Sequence, residues 1–153
     1  MSAVEDRLSE LGLTVPEVVP PVAAYVPVVR EGDLVFTSGQ LPMVDGSLAA
    51  TGKVGAEVDA ETAKSLAETC ALNAIAAIKS EIGDLDTVTR VVKVVGFVAS
   101  APGFTAQPKV VNGASELLGE IFGEAGKHAR SAVGVAELPL GLPVEVELVV
   151  EVA

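Results

Sequence analysis

The longest unbroken helical pattern in the sequence runs from Asp59 to Gly83, and it dictates what the rest of the chain must supply. Asp59 stands where an N-cap is expected, and Glu61 falls in the first turn, where its charge suits the helix dipole. Ala63, Leu66, Ala67, Cys70, Ala71, Ala74, Ile75, Ile78 and Ile82 keep the spacing of one helical face, and Gly83 supplies a stop. Most of that face is alanine. So lightly clothed a helix buries little by itself, and it needs a flat apolar partner at close range, which a β-sheet provides.

The strands are legible around it. Val88 to Val98 is too β-branched for a helix and apolar on both faces in its middle, so it belongs inside the sheet. Asp33 to Ser38 reads as a strand, ending in Ser38-Gly39-Gln40, where small and polar residues break the apolar run. Val26 to Arg30 pairs with it as a hairpin joined at Glu31-Gly32, and Pro27 confines that strand to an edge. Near the C-terminus, the stretch from His128 to Pro139, followed by Val144 to Leu148, reads as a strand carrying Arg130, a short Pro/Gly turn and a second strand. In the second, Val144, Val146, Leu148, Val150 and Val152 point one way, and Glu145, Glu147 and Glu151 the other.

A second long helix follows Pro108, placed at its first position, with Val110, Val111, Ala114, Leu117, Leu118, Ile121 and Phe122 as its stripe and Asn112 flanking it. It ends near Gly123 to Gly126. Val4 to Leu13 reads as a short helix stopped at Gly12, and Pro16, Pro20 and Pro21 then force an extended connection. Pro42 to Val58, with three glycines and little periodicity, reads as a loop. The order predicts an α+β sandwich, one mixed sheet with two long helices on one face. A single domain is expected over 1–153, with the helix within 1–15 as an addition. The sheet's other face lacks cover. Half of the residues are hydrophobic, so copies of the same chain are expected to bury it.

A formal net charge of −11 and no cluster of Lys or Arg argue against a nucleic-acid partner. No apolar run reaches the roughly 18 residues that cross a bilayer, and no secretory signal opens the chain, so no membrane role is expected and the cytoplasm is the default location. One His and one Cys without paired spacing predict no metal site. Cys70 reads as a buried small hydrophobe and His128 as solvated or structural. No glycine-rich phosphate loop precedes a helix in the required register, and nothing resembles a nucleophile elbow.

Arg130 remains, one of ten Lys/Arg residues, in a small and apolar setting. A guanidinium there needs a carboxylate or phosphate partner. Strands adjacent in sequence usually pair, which would bring Arg130 and Glu145 into one neighbourhood. Two readings stay open: a salt bridge across the strands, or an arginine fork that grips a ligand carboxylate while the glutamate orients or deprotonates a water. Tyr25, the only tyrosine, adds a hydroxyl.

Thr37-Ser38-Gly39-Gln40-Leu41-Pro42, Val111-Asn112-Gly113-Ala114, and Ala129-Arg130-Ser131 with Val135, Leu138-Pro139 and Val144-Glu145-Val146-Glu147 resemble, in order and spacing, the reactive intermediate deaminase family (RidA or YjgF, also labelled endoribonuclease L-PSP). The chain is similar to a longer branch of that family. The resemblance implies a chorismate-mutase-like fold assembled as a homotrimer, with sites in clefts between subunits. It also implies cofactor-free hydrolysis of 2-aminoacrylate, or its 2-imino acid tautomer, to a 2-keto acid and ammonia. By the same resemblance, Arg130 binds the substrate carboxylate and Glu145 positions the attacking water. Tyr25, Ser38, Gly39, Asn112 and Ser131 line the cleft, Tyr25 from a neighbouring subunit. The chain departs from the pattern at Ala132, where members often carry Cys, and at Tyr25-Val26-Pro27, which lacks the usual polar neighbours. Alternatives are a trimer that binds a small carboxylate metabolite without turnover or with other chemistry, and, lowest, the ribonuclease or translation-inhibitor role attached to the family.

Overall fold

The computed structural model describes residues 2–153; Met1, the first residue of the expected domain span, lies outside the described residues. The elements are α1 (Ala3–Glu10), β1 (Val28–Glu31), β2 (Leu34–Thr37), β3 (Met43–Val44), β4 (Ser47–Leu48), α2 (Ala60–Ile82), β5 (Val88–Ala99), α3 (Gln107–Phe122), β6 (Ala129–Val135) and β7 (Val144–Val152). Five strands form one mixed sheet in the order β1-β2-β7-β5-β6, in which only β5 and β6 run parallel. α2 and α3 pack on one face, as expected for the α+β sandwich.

The alanine face of α2 does what its composition requires. Asp59 caps the helix by accepting the Thr62 N–H at 2.7 Å, and Gly83 ends it at φ 79°. Ala63, Ala67, Cys70, Ala71 and Ala74 are fully buried, together with the helix-facing valines of β5 and β7. Two glycines set the spacing. A Cβ on Gly113 of α3 would stand 2.0 Å from the Lys64 carbonyl oxygen of α2, and one on Gly96 of β5 would stand 2.4 Å from the Val111 side chain. Cys70 donates to the Val144 carbonyl at 3.8 Å. Burial pushes its thiol well above the ordinary value, as expected of a core residue.

Three expectations are corrected. β6 and β7 do not pair. β5, α3 and β6 form a strand–helix–strand unit, whose crossover makes the two strands parallel neighbours, and β7 enters on the other side of β5. That placement suits the sequences: β7 buries five large apolar side chains, whereas β6 carries Ala132 and Gly134 and sits at the edge. The stretch 42–58 is not all loop. Asp45 and Gly46, both at positive φ, turn β3 back onto β4 in a two-residue hairpin. Pro108 is the second helical residue, after Gln107.

α1 is held from outside itself. The carboxylate of Asp86 accepts the Ser2 hydroxyl and the N–H groups of Ala3 and Val4, which otherwise lack helical partners. Those hydrogen bonds hold the Asp86 carboxyl below its ordinary value.

The sheet face opposite the helices carries Leu34, Phe36, Val133 and the β7 glutamates, with Phe36 at 42% and Val133 at 44% exposure.

Candidate functional site

In the ladder Arg130 stands beside Val94, whose side chain is buried under the helices. Cross-strand neighbours share a face, so the arginine runs onto α3. There it meets Pro108, Asn112 and Ser115, at i, i+4 and i+7, a helical stripe beside the buried one. Nη1 donates to Asn112 Oδ1 at 2.8 Å and to Ser115 Oγ at 3.3 Å, and Nη2 to the Pro108 carbonyl at 3.4 Å. Every acceptor is uncharged. Among the described residues no carboxylate pairs with Arg130, and its Nε–H has no acceptor. Arg130 is half-buried, and its Nε–H is the part of the fork that the protein leaves unpaired among the described residues.

His128 extends this network. Its Nδ1 lies 2.6 Å from the Gly126 carbonyl, which can only accept, so Nδ1 bears the proton. In the neutral ring Nε2 is therefore an acceptor, and the Ser115 hydroxyl, 2.9 Å away, donates to it. A serine lone pair is left for Arg130. Sequence reasoning assigned no role to Ser115 and set His128 aside as solvated or structural. The signal that could have found Ser115 is its spacing from Pro108 and Asn112, off the buried stripe.

Glu145 occupies the other side of the sheet. It pairs with Phe97, three residues along β5 from Val94, so the ladder puts it two strands across (roughly 10 Å) and three residues along (roughly 10 Å again) from Arg130, and on the opposite face. The expected single neighbourhood of Arg130 and Glu145 is thus not formed within one chain, and the cross-strand salt bridge is excluded with it. The glutamate is half-buried and lies over Gly39, where a Cβ would stand 1.9 Å from Oε1. Burial, then the nearby charge of Glu147, raises its carboxyl above the ordinary value.

Tyr25, Ser38 and Gly39 gather at this second location. Tyr25 is 44% exposed, and its hydroxyl oxygen accepts the Val22 N–H at 3.4 Å. Ser38 donates to the Val26 carbonyl at 2.6 Å, and Tyr25 and Gly39 line one small depression. Ser131 belongs to neither group. It pairs with Val95, on the face away from Arg130, and accepts a hydrogen bond from Lys93 Nζ at 3.3 Å. The expected set is therefore divided: Arg130 and Asn112 at the β6 edge, and Tyr25, Ser38, Gly39 and Glu145 where β2 meets β7. Among the described residues, no group of three His, Cys, Asp or Glu side chains is placed to hold a metal. No described helix is long and apolar enough to cross a membrane.

These features define a class: an α+β domain with two helices on one face of a mixed sheet and an edge-strand arginine left, among the described residues, without an acidic partner. Over residues 5–152 the chain matches the family described as YjgF/chorismate mutase-like, putative endoribonuclease, and it belongs to that family. It is 44% identical over 146 residues to Protein TCP17 of Trypanosoma cruzi, spanning 95% of this chain and 91% of that one. The crystal structure of Atu1372 from Agrobacterium tumefaciens, of unknown function, is 47% identical with a TM-score of 0.92, over 99% of this chain and 93% of that one. The crystal structure of E. coli TdcF with bound serine is 25% identical with a TM-score of 0.60, over 91% of this chain and 94% of that one.

Proposed function

We propose that this chain is a cofactor-free deaminase of the cytoplasm, acting as one domain over 1–153. It hydrolyses 2-imino acids, and enamines such as 2-aminoacrylate through their imine tautomers, to 2-keto acids and ammonia. Its site is a cleft between two copies in a homotrimer, in which the β6 edge of one chain faces the β2–β7 region of the next. The observation that carries this reading is Arg130, braced by neutral acceptors and unpaired with any carboxylate among the described residues. Serine bound to TdcF, a relative, is the kind of small carboxylate such an arginine would hold.

In this reading the Nε side of Arg130 fixes the substrate carboxylate, and the imine carbon projects toward Glu145, Tyr25 and Ser38 of the neighbouring copy. An imine carbon is already electrophilic, so orientation beside one water supplies much of the catalysis. The raised carboxyl of Glu145 suits a group that takes a proton from the attacking water and returns it to the departing amine. Water adds across C=N, the C–N bond then breaks, and a keto acid and ammonia leave. Ser131 and Gly39 line the cleft, and the absence of a side chain at Gly39 makes room for Glu145.

The test is hydrolysis of 2-iminopropanoate generated in situ. The wild-type chain is expected to accelerate its loss, and Arg130→Ala to abolish that signal; a mutant as fast as the parent refutes the assignment. A second reading, carboxylate binding without turnover, is favoured by the placement of Glu145 on the opposite face from Arg130. It predicts saturable pyruvate binding that Arg130→Ala removes, with no acceleration of imine loss.

A further inference from the structure

Between the extended segment 14–22, the β3–β4 hairpin and the middle of α2 lies a cavity of 380 Å³, which shares no lining residue with the Arg130 network, although Val19, Pro20, Val22 and Met43 also line the depression beside Tyr25 and Gly39. Its walls are mainly aliphatic, from Val18, Val19 and Val22 on the segment, Met43 on the hairpin and Leu72 on α2. The volume falls within the range of ordinary small-molecule sites.

Asn73 gives the cavity its chemistry. It is 2% exposed, and its side-chain nitrogen donates to the carbonyls of Leu41 and Met43, both at 3.0 Å. Carbonyls only accept, so the amide has one permitted orientation, with Oδ1 turned away from them. No described group donates to Oδ1, yet no polar side-chain atom is both sealed from solvent and unpartnered. That oxygen therefore keeps some contact with solvent, and Asn73 is among the residues that line this cavity. Thr69, one helical turn earlier on the same wall, likewise has a hydroxyl with no hydrogen bond among the described residues. Glu17 and Asp45 also line it. Neither makes an ion pair among the described residues, and no Lys, Arg or His lines the cavity.

We propose that this cavity binds a small primary amine: an aliphatic body against the valines, Met43 and Leu72, and an ammonium donating to Asn73 Oδ1 and Thr69 Oγ1. Glu17 and Asp45 supply the opposite charge at the mouth. The preference is the inverse of that at Arg130, so the two sites take different molecules.

Titration of the isotope-labelled full chain with n-hexylamine, followed by NMR, tests this. Saturable shifts are expected at Val19, Thr69, Leu72 and Asn73. Hexanoate, with the same chain length and a carboxylate head, should leave those signals unmoved. Thr69→Val should weaken hexylamine binding about ten-fold or more, the worth of one hydrogen bond from a charged donor. Leu72→Trp should abolish it by filling the space, while imine hydrolysis, or pyruvate binding at Arg130, stays at the parent level. Shifts that fail to saturate, that scatter over the acidic surface, or that hexanoate reproduces would overturn the proposal. So would undiminished binding by both variants.

Discussion

Arg130 donates three of its five N–H groups to neutral oxygens, an arrangement that fixes the guanidinium without spending its charge. Ser115 is the part of that brace most open to test. In Ser115→Ala the serine bond to Arg130 disappears while the Asn112 bond remains, so KM for the imino acid should rise about five-fold with kcat nearly constant. A fall in kcat with KM unchanged would assign Ser115 some other role. Glu145 is the complementary case. Its carboxyl is raised, so its charged form destabilises the fold at pH above the folded value, and the penalty fades as pH falls through that value. Glu145→Gln should therefore be more stable than the parent at about pH 7, with the advantage shrinking on acidification; urea midpoints across the range read this out. An advantage independent of pH would rule out the charge as its cause. Sequence alone singled out Arg130 and Glu145. It placed them together because it treated β6 and β7 as a hairpin, and only the ladder shows that they face opposite ways.

At the scale of elements, the long periodic segments were the readable ones. α2 announced itself by its cap, its stripe and its glycine stop, and β5 by an unbroken β-branched run. β3 and β4 were unreadable as strands because two residues each cannot show a period. Their one signal was Asp45-Gly46, a strong turn pair when two φ values must be positive. The strand order was hidden for another reason: a helix between two strands makes them parallel neighbours, and that local unit outranks adjacency in sequence. Close packing of α2 on α3 rests on Gly113. Gly113→Ala drives a methyl into the Lys64 carbonyl, a backbone atom that cannot step aside. The loss should be on the order of 2–3 kcal/mol, measured by chemical denaturation. A loss below half a kcal/mol would mean the helices part easily.

For the whole molecule, the helices account for one face of the sheet and leave the other to be explained. Leu34 and Phe36 stand exposed there on β2 and Val133 on β6, with the β7 glutamates between them. If three copies close over that face, light scattering should give three times 15.5 kDa. Val133→Asp should yield single chains that hydrolyse no imine even though the Arg130 brace is intact. A variant that dissociates yet keeps full activity would show that one chain holds the entire site. The composition hinted at this missing cover, but which strands lie at its edges came only from the topology.

The brace around Arg130 also has a consequence for how a ligand arrives. The chain as a whole carries −11, so an approaching carboxylate meets a repulsive field at long range and is drawn to Arg130 only on near contact. Dissolved salt mutes the distant term more than the close one, because screening grows with separation. Moderate ionic strength therefore quickens capture of an anion here, the reverse of what holds for enzymes that draw their substrates in by an opposite overall charge.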